Sequence, residues 1–486
     1  MTPIPFAVIV GSGAGGAITA HELAASGRDV VVVEEGDDLD AGAFDQHGPK
    51  MMGAMYRRRG MTPIVGRVPI GYVEGCCVGG SSEINSGFWH RVPREVLLSW
   101  KGRYELDGAS PQELEPHYEW AEAALGVGLS KRPWPGSTAA LARGIAAMGW
   151  SYQEVPRAPL TRPDPRDPAQ GDASGPTAGV RSTVLARARA AGARLISNCR
   201  VTHLLRRGAR VDGVLARFSR ADGVVELVRI LGEHVFVCCG PTETPALLRR
   251  SGVKLHIGDT LRVHPMLKVA ARFPEPVGGR VSPVPLIQIK EFWPEISLGG
   301  AFFSTGHLAM LLSDNWLANR DLMRHADCMA SYYVAVKGTG AGMVRPSRVD
   351  PDGANLRYDL SDIDILHLSR GLARLSEVLL AAGAIEVLPC VQGLPAIRSE
   401  VEAVRWLDER LVPASLSLGT VHAFSSCPIG EREDRCAANS FGKVRGFENL
   451  YINDASMLPD SPGVNPQGAV MALARRNVVR FLEENP

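Results

Sequence analysis

Residues 6–36 read FAVIVGSGAGGAITAHELAASGRDVVVVEEG, and no other stretch limits the possible folds so tightly. Residues 6–10 are too few and too β-branched for a helix and predict a buried strand. Gly11, Gly13 and Gly16 follow at the spacing G-x-G-x-x-G. Gly11 permits the tight turn, Gly13 lets a pyrophosphate approach the backbone, and Gly16 lets the next helix pack closely on the strand. Residues 17–26 carry that helix and present its free N–H groups to the phosphates. Gly27 ends it. Residues 28–33 are an unbroken apolar run of the kind buried on both faces of a parallel sheet. Glu34, 23 positions after Gly11, stands where an acid accepts hydrogen bonds from an adenosine ribose. Together these features predict one βαβ unit that binds a dinucleotide.

A chain of 486 residues, 45% of them apolar, is long enough for two or three domains with a large core. Its 53 basic and 52 acidic side chains leave a net charge of +1, which gives nucleic acid or an anionic membrane no electrostatic hold. Nine cysteines include the adjacent pairs Cys76/Cys77 and Cys238/Cys239. None has metal-ligand spacing, so reduced, mostly buried thiols are expected in place of a disulfide framework or a zinc site. The first apolar run lacks a basic segment before it and already serves as a strand, and no window is apolar enough to span a membrane. A cytoplasmic protein without membrane insertion is the expectation.

Residues 37–67 look irregular, and Arg57, Arg58 and Arg59 read as a solvated charge run. Residues 71–93, GYVEGCCVGGSSEINSGFWHRVP, are small and polar enough for backbone to pass close to a ligand. Residues 95–125 look helical, with a Ser110-Pro111 start. Residues 157–177, rich in proline, glycine and charge, read as an exposed loop. Residues 196–239 alternate like strands of a meander, and PTETPALLRRSG opens a helix. Residues 253–411 mix broken strand-like and helical runs without a repeat, and fit a substrate-facing domain.

The last informative block, residues 422–474, places His422 before small polar residues, then a strand, an Asp-Ala-Ser turn, a proline loop, and a helix from about Pro466. The helix N-terminus would cradle developing negative charge. Together VGSGAGG, GGSSEIN, NSGFWHRVP, CCGPTETPALLRRSGV, LRVHP and GVNPQG resemble the glucose-methanol-choline (GMC) family of flavin oxidoreductases, nearest its bacterial long-chain alcohol and sterol branch. The resemblance runs end to end.

It implies an α/β (overall α+β) protein, with a Rossmann-type FAD-binding domain formed by residues 1–95, 180–260 and 412–486. A substrate-binding domain on an antiparallel sheet would come from residues 96–179 and 261–411. FAD would be held by Gly11, Gly13, Gly16 and Glu34, with Gly79, Gly80 and Asn85 beside the isoalloxazine and Asp454 and Ala455 in a second flavin-contacting turn. The same resemblance assigns Ala14, Ser81, Val201, Gly240, Pro466 and Gln467 to the cofactor's surroundings. His422 and Asn465, 43 residues apart, match the catalytic pair, the histidine as general base during alcohol oxidation and the asparagine holding the substrate oxygen. His90 and His264 match positions associated with packing around the flavin.

Relatives with covalent flavin carry histidine where Ile84 stands, so non-covalent FAD is implied. The cysteine-rich insert of the long-chain alcohol branch is missing, which favours a sugar- or aminoglycoside-like alcohol over a lipid or sterol. A flavin-containing lyase is the alternative. The electron acceptor would be oxygen or an unidentified carrier.

Overall fold

The computed structural model describes residues 4–39, 49–130, 134–159, 179–278, 281, 282, 284 and 286–486. Of the exposed loop expected at residues 157–177, residues 160–177 lie outside them, and at its start Arg157 and Ala158 are buried.

The βαβ unit forms as its sequence predicts. Strand Ala7–Val10 pairs in parallel with Val30–Val33 on one side and His234–Val237 on the other. Arg194–Ile196 and Leu450–Ile452 complete a five-stranded sheet, every pair parallel. No residue of Val30–Val33 is more than 3% exposed, and each valine so buried contributes about 1.5–3 kcal/mol. The first helix, Ala14–Ala25, starts directly after Gly13, three residues earlier than its apolar pattern indicates. It packs against Val184–Ala190 and the C-terminal helix Gln467–Glu484. Cys199–Arg207, Arg210–Ser219 and Val225–Leu231 form the expected antiparallel meander, and the chain then returns to the parallel sheet through His234–Val237.

A second, mixed sheet has eleven strands. At its centre Met266–Arg272, Met329–Val336, Ile296–Ala301 and Ile287–Ile289 run antiparallel in that spatial order. Leu418–Thr420, Ile70–Tyr72 and Thr62–Val65, from stretches assigned by sequence to the nucleotide-binding domain, hydrogen-bond into this sheet. Strand alternation gives the sheet two different faces. Val334 meets Gly371 of helix Asp362–Ala381, whereas Ser331, Tyr333 and Ala335 face a cavity.

Two local readings change. The helical stretch at 95–125 is two helices, Arg94–Tyr104 and Pro111–Leu125. Ser110 caps the second with a reciprocal Glu113 contact, Glu113 N to Ser110 Oγ at 3.3 Å and Ser110 N to Glu113 Oε2 at 2.9 Å. Residues 37–67, read as irregular, contain the helix Pro49–Met55 and the strand Thr62–Val65. All nine cysteines are free. Among the described residues no helix is long and apolar enough to cross a membrane.

Candidate active site

The carboxyl ends of the parallel strands and the open face of the mixed sheet enclose a cavity of about 1610 Å³. A site for one drug-sized ligand is typically about 300–1,000 Å³, so this one has room for a dinucleotide and a second molecule together. Of the residues singled out by sequence, Gly11, Gly13, Ala14, Glu34, Gly80, Ser81, Asn85, Val201, Gly240, Asp454, Ala455, Pro466, Gln467, His422 and Asn465 line it. Gly16 and Gly79 do not.

At the nucleotide end the wall is mostly backbone. Gly11 has φ +100°, the left-handed region, and a Cβ there would lie 2.3 Å from the Cys238 carbonyl oxygen. Gly16 is pressed on that turn, because its Cβ would lie 2.0 Å from the Gly11 oxygen. Its task is packing. A Cβ on Gly13 would meet nothing within 4 Å, and no side chain caps the helix that starts beside it. These orphan N–H groups over open space suit a pyrophosphate.

Glu34 is buried at the tip of its strand. Its Oε2 accepts from Ser12 N at 2.9 Å and Ser12 Oγ at 2.8 Å, and its Oε1 accepts from Gly36 N at 3.0 Å. Ser12 Oγ in turn accepts from Gly79 N at 3.0 Å, so Gly79 fastens the second loop to the first. Burial, and then the neighbouring Glu35, push the Glu34 carboxyl above its usual range. Three of about four acceptor positions on Glu34 are taken, which leaves capacity for a ribose hydroxyl. Asp454 uses its carboxylate internally, accepting from Gly240 N at 2.9 Å and Ser456 N at 2.7 Å; it ties two loops of the cavity wall together.

Arg57 corrects the reading of a solvated charge run. Arg58 and Arg59 are exposed, but the Arg57 side chain is 12% exposed, paired with Glu35 and, at 2.7 Å, with Glu74. Arg200 pairs with Glu35 as well and with Glu243 at 3.0 Å. Burial alone would raise the Glu35 carboxyl, yet Arg57 and Arg200 outweigh it and bring it down to about 2. Charges from separate stretches of the chain compensate one another here, and a run of three arginines carries no record of that.

The other end is made of side chains. Lys290 Nζ donates to Gln288 Oε1 at 3.1 Å, and Gln288 Nε2 donates to Tyr333 OH at 2.8 Å and Asn465 Oδ1 at 3.4 Å. That orientation turns the Asn465 amide nitrogen toward His422 Nε2, 3.1 Å away. An amide nitrogen only donates, so His422 Nε2 accepts and its proton lies on Nδ1. The His422 Nδ1–H then donates to His264 Nδ1 at 3.1 Å, and the His264 Nε2–H to Ser461 Oγ at 2.8 Å. A donor-only ammonium at one end thus assigns every proton along the chain. Burial lowers His422 to about 4 and Lys290 to about 8. Near neutral pH His422 is uncharged, its one Nε2 lone pair accepting from Asn465, and Lys290 is an ammonium.

Asn465 precedes the uncapped helix Gln467–Glu484. Asn85 Nδ2 donates to Gln467 Oε1 at 2.5 Å, which fixes the polar loop against that helix start. Sequence reasoning missed Gln288, Tyr333 and Lys290, which carried no local signal. It placed His264 in packing, whereas His264 orients His422; the LRVHP motif was visible but not its partner. His90 lies behind the cluster, its Nε2 donating to Gln288 Oε1 at 3.1 Å. Of Trp293, Phe302, Phe303 and Trp316, only Phe302 lines the cavity.

Comparison with known proteins gives the family and the fold. Models of the GMC oxidoreductase family match residues 52–266 and 339–474, and a model of an NAD(P)-binding Rossmann-like domain matches residues 9–50. A GMC-type oxidoreductase of Sinorhizobium fredii is 36% identical over 97% of this chain and 93% of its own. A long-chain-alcohol oxidase of Arabidopsis thaliana is 25% identical over 96% of this chain, which spans 66% of that protein. Pyridoxine 4-oxidase from Mesorbium loti superposes with a TM-score of 0.72 at 16% identity, covering 99% of both chains. A dinucleotide cradle joined to a half-buried histidine–asparagine pair, and relatives that match end to end, lead to one conclusion: the chain belongs to the GMC oxidoreductase family of FAD-dependent enzymes that act on alcohols.

Proposed function

We propose that the protein oxidises a primary or secondary alcohol of a small molecule to the aldehyde or ketone, with His422 as general base and Asn465 as the group that holds the substrate oxygen. The carrying observation is an uncharged His422 lining the cavity, whose Nε2 accepts from Asn465 Nδ2 at 3.1 Å, a place a substrate hydroxyl would take over, and whose tautomer is held by His264. Bound FAD supplies a two-electron acceptor for the carbinol hydride. His422 takes the hydroxyl proton at Nε2, and Asn465 positions the oxygen without titrating. The N-terminus of Gln467–Glu484 offers its positive end to negative charge that builds up during reduction.

Gln288, Lys290 and Tyr333 supply polar contacts near the base, as a sugar- or aminoglycoside-like alcohol would need. Farther along, Met266, Met310, Leu311 and Phe302 add apolar side chains to the cavity wall. That wall favours an alcohol on an aliphatic stem. Ile84, which also lines the cavity, offers no nucleophile where covalent relatives have histidine, and this supports FAD held without a covalent bond.

The test is an anaerobic titration of the yellow holoenzyme with alcohols of both kinds, followed by air. Bleaching by an alcohol supports the reading, and the speed of recolouring in air separates oxygen from another acceptor. Bleaching by dithionite alone would favour a lyase with non-redox FAD. His422→Ala should cut turnover about 10²–10⁴-fold with FAD retained; turnover within tenfold of wild type would remove His422 from this role.

A further inference from the structure

One cation in the cavity has no part in the base or the nucleotide end. Lys268 lies in Met266–Arg272, otherwise apolar but for the terminal arginine, and its side chain lines the cavity. Across the mixed sheet the register runs Gln288, Gly299, Tyr333, Lys268, so Lys268 shares a face with Gln288. Three strand spacings, about 14 Å, separate them.

The Lys268 ammonium forms no hydrogen bond or ion pair with any described residue. The titratable groups facing it are His307 and Cys390. Burial, with Lys268 adding to it, keeps His307 neutral, down to about 4, and burial raises the Cys390 thiol to about 12. Asp314 lines the same arm but accepts from Ser417 Oγ at 2.7 Å and makes no ion pair with Lys268. A partly buried ammonium without a counter-ion is costly unless a ligand compensates it, and its withdrawal from solvent accordingly lowers its proton affinity.

We propose that Lys268 forms a subsite for the carboxylate of a hydroxy acid whose alcohol end reaches His422 and Asn465. This deepens the reading above and rests on it. One positive charge matches a monoanion, whereas a phosphate dianion would leave net charge buried. Met266, Met310 and Leu311 line the same cavity and suit an aliphatic spacer between the two ends. Ser304 Oγ, paired with His307 Nδ1 at 2.6 Å, supplies a neutral polar group in this arm. The carboxylate is a handle and takes no part in bond changes.

The test compares wild-type, Lys268→Met and Lys268→Arg holoenzymes. Terminally hydroxylated decanoate is assayed against its methyl ester, and calorimetry measures binding of decanoate, which has no hydroxyl to oxidise. Wild type should favour the acid over the ester in kcat/KM by about tenfold or more. In Lys268→Met the ratio should collapse toward one and decanoate binding weaken by about the same factor, while Lys268→Arg keeps both. Equal use of acid and ester by wild type, or decanoate affinity independent of residue 268, would overturn the subsite. Decanoate binding that depends on Lys268 in a protein that oxidises no alcohol would keep the subsite and sink the oxidation reading. Oxidation of neutral alcohols with a ratio indifferent to Lys268 would do the reverse.

Discussion

The two ends of the cavity are built by different means. The nucleotide end is backbone: two glycine turns, the first helix start and strand tips drawn largely from contiguous sequence. The substrate end is side chains, Lys290, Gln288, Asn465, His422 and His264, contributed by four separate stretches and aligned by sheet register. Backbone recognition depends on where Cβ atoms are missing; side-chain recognition depends on what the tertiary fold brings opposite. Damage to the first end should therefore appear as lost fold or lost cofactor, and damage to the second as lost turnover with cofactor in place.

The largest effect expected is on stability, from the charge cluster beside the nucleotide end. Arg57→Met leaves Glu35 and Glu74 partly uncompensated in a buried site and should cost about 3–5 kcal/mol, read as a lower urea midpoint. An unchanged midpoint would return Arg57 to the solvated role its sequence indicates.

At the substrate end His264→Leu removes the acceptor that fixes the His422 tautomer. Turnover should fall by about 10²-fold, the scale of a misplaced catalytic group, with FAD content unchanged. If FAD were lost in proportion to activity, the contrast between the ends would fail.

Two glycines sharpen the comparison within the first end. Gly16→Ala drives a methyl into the Gly11 carbonyl and should destabilise the apoprotein by about 1–3 kcal/mol. Gly13→Ala meets only open space in the protein, at a φ of −65° that alanine accepts. Its apoprotein should melt like wild type while FAD affinity falls. Equal melting of the two variants would show that the steric distinction is wrong.

The smallest effect is a displaced pH limb. His422 is lowered to about 4 by burial, so the acid limb of kcat/KM should lie well below the ordinary histidine value of about 6.5. The unfolded chain binds this proton more readily than the native one, so the stability contributed by neutral His422 is whole above about pH 6.5 and is lost as pH falls toward 4. An acid limb near 6.5 would mean that the base is solvated.

Much of the nucleotide end was legible because its requirements are local. Gly11, Gly13 and Gly16, the apolar strand and Glu34 each have one role fixed by neighbours a few residues away. His422 and Asn465, the pair proposed as catalytic, were picked out through motif resemblance, not through local chemistry. Gln288, Tyr333 and Lys268 could not be found that way. A lysine in an otherwise apolar run, MLKVAAR, was a readable anomaly, but its meaning depends on which strand face meets the cavity. The packing role of Gly16 was legible from its place in the glycine spacing, but Gly79 was assigned to the cofactor's contacts because sequence cannot separate a glycine that faces a ligand from one that faces another loop.

Sequence by itself determined the βαβ unit, the dinucleotide and the family, since hydrophobic periodicity and glycine spacing act over short distances along the chain. Only the tertiary structure decided that Arg57 is buried, that His264 orients His422, and that Lys268 stands uncompensated in the cavity. Those facts depend on register and on charges meeting across long separations, where the same residue can be solvent-exposed or functional according to what folds against it.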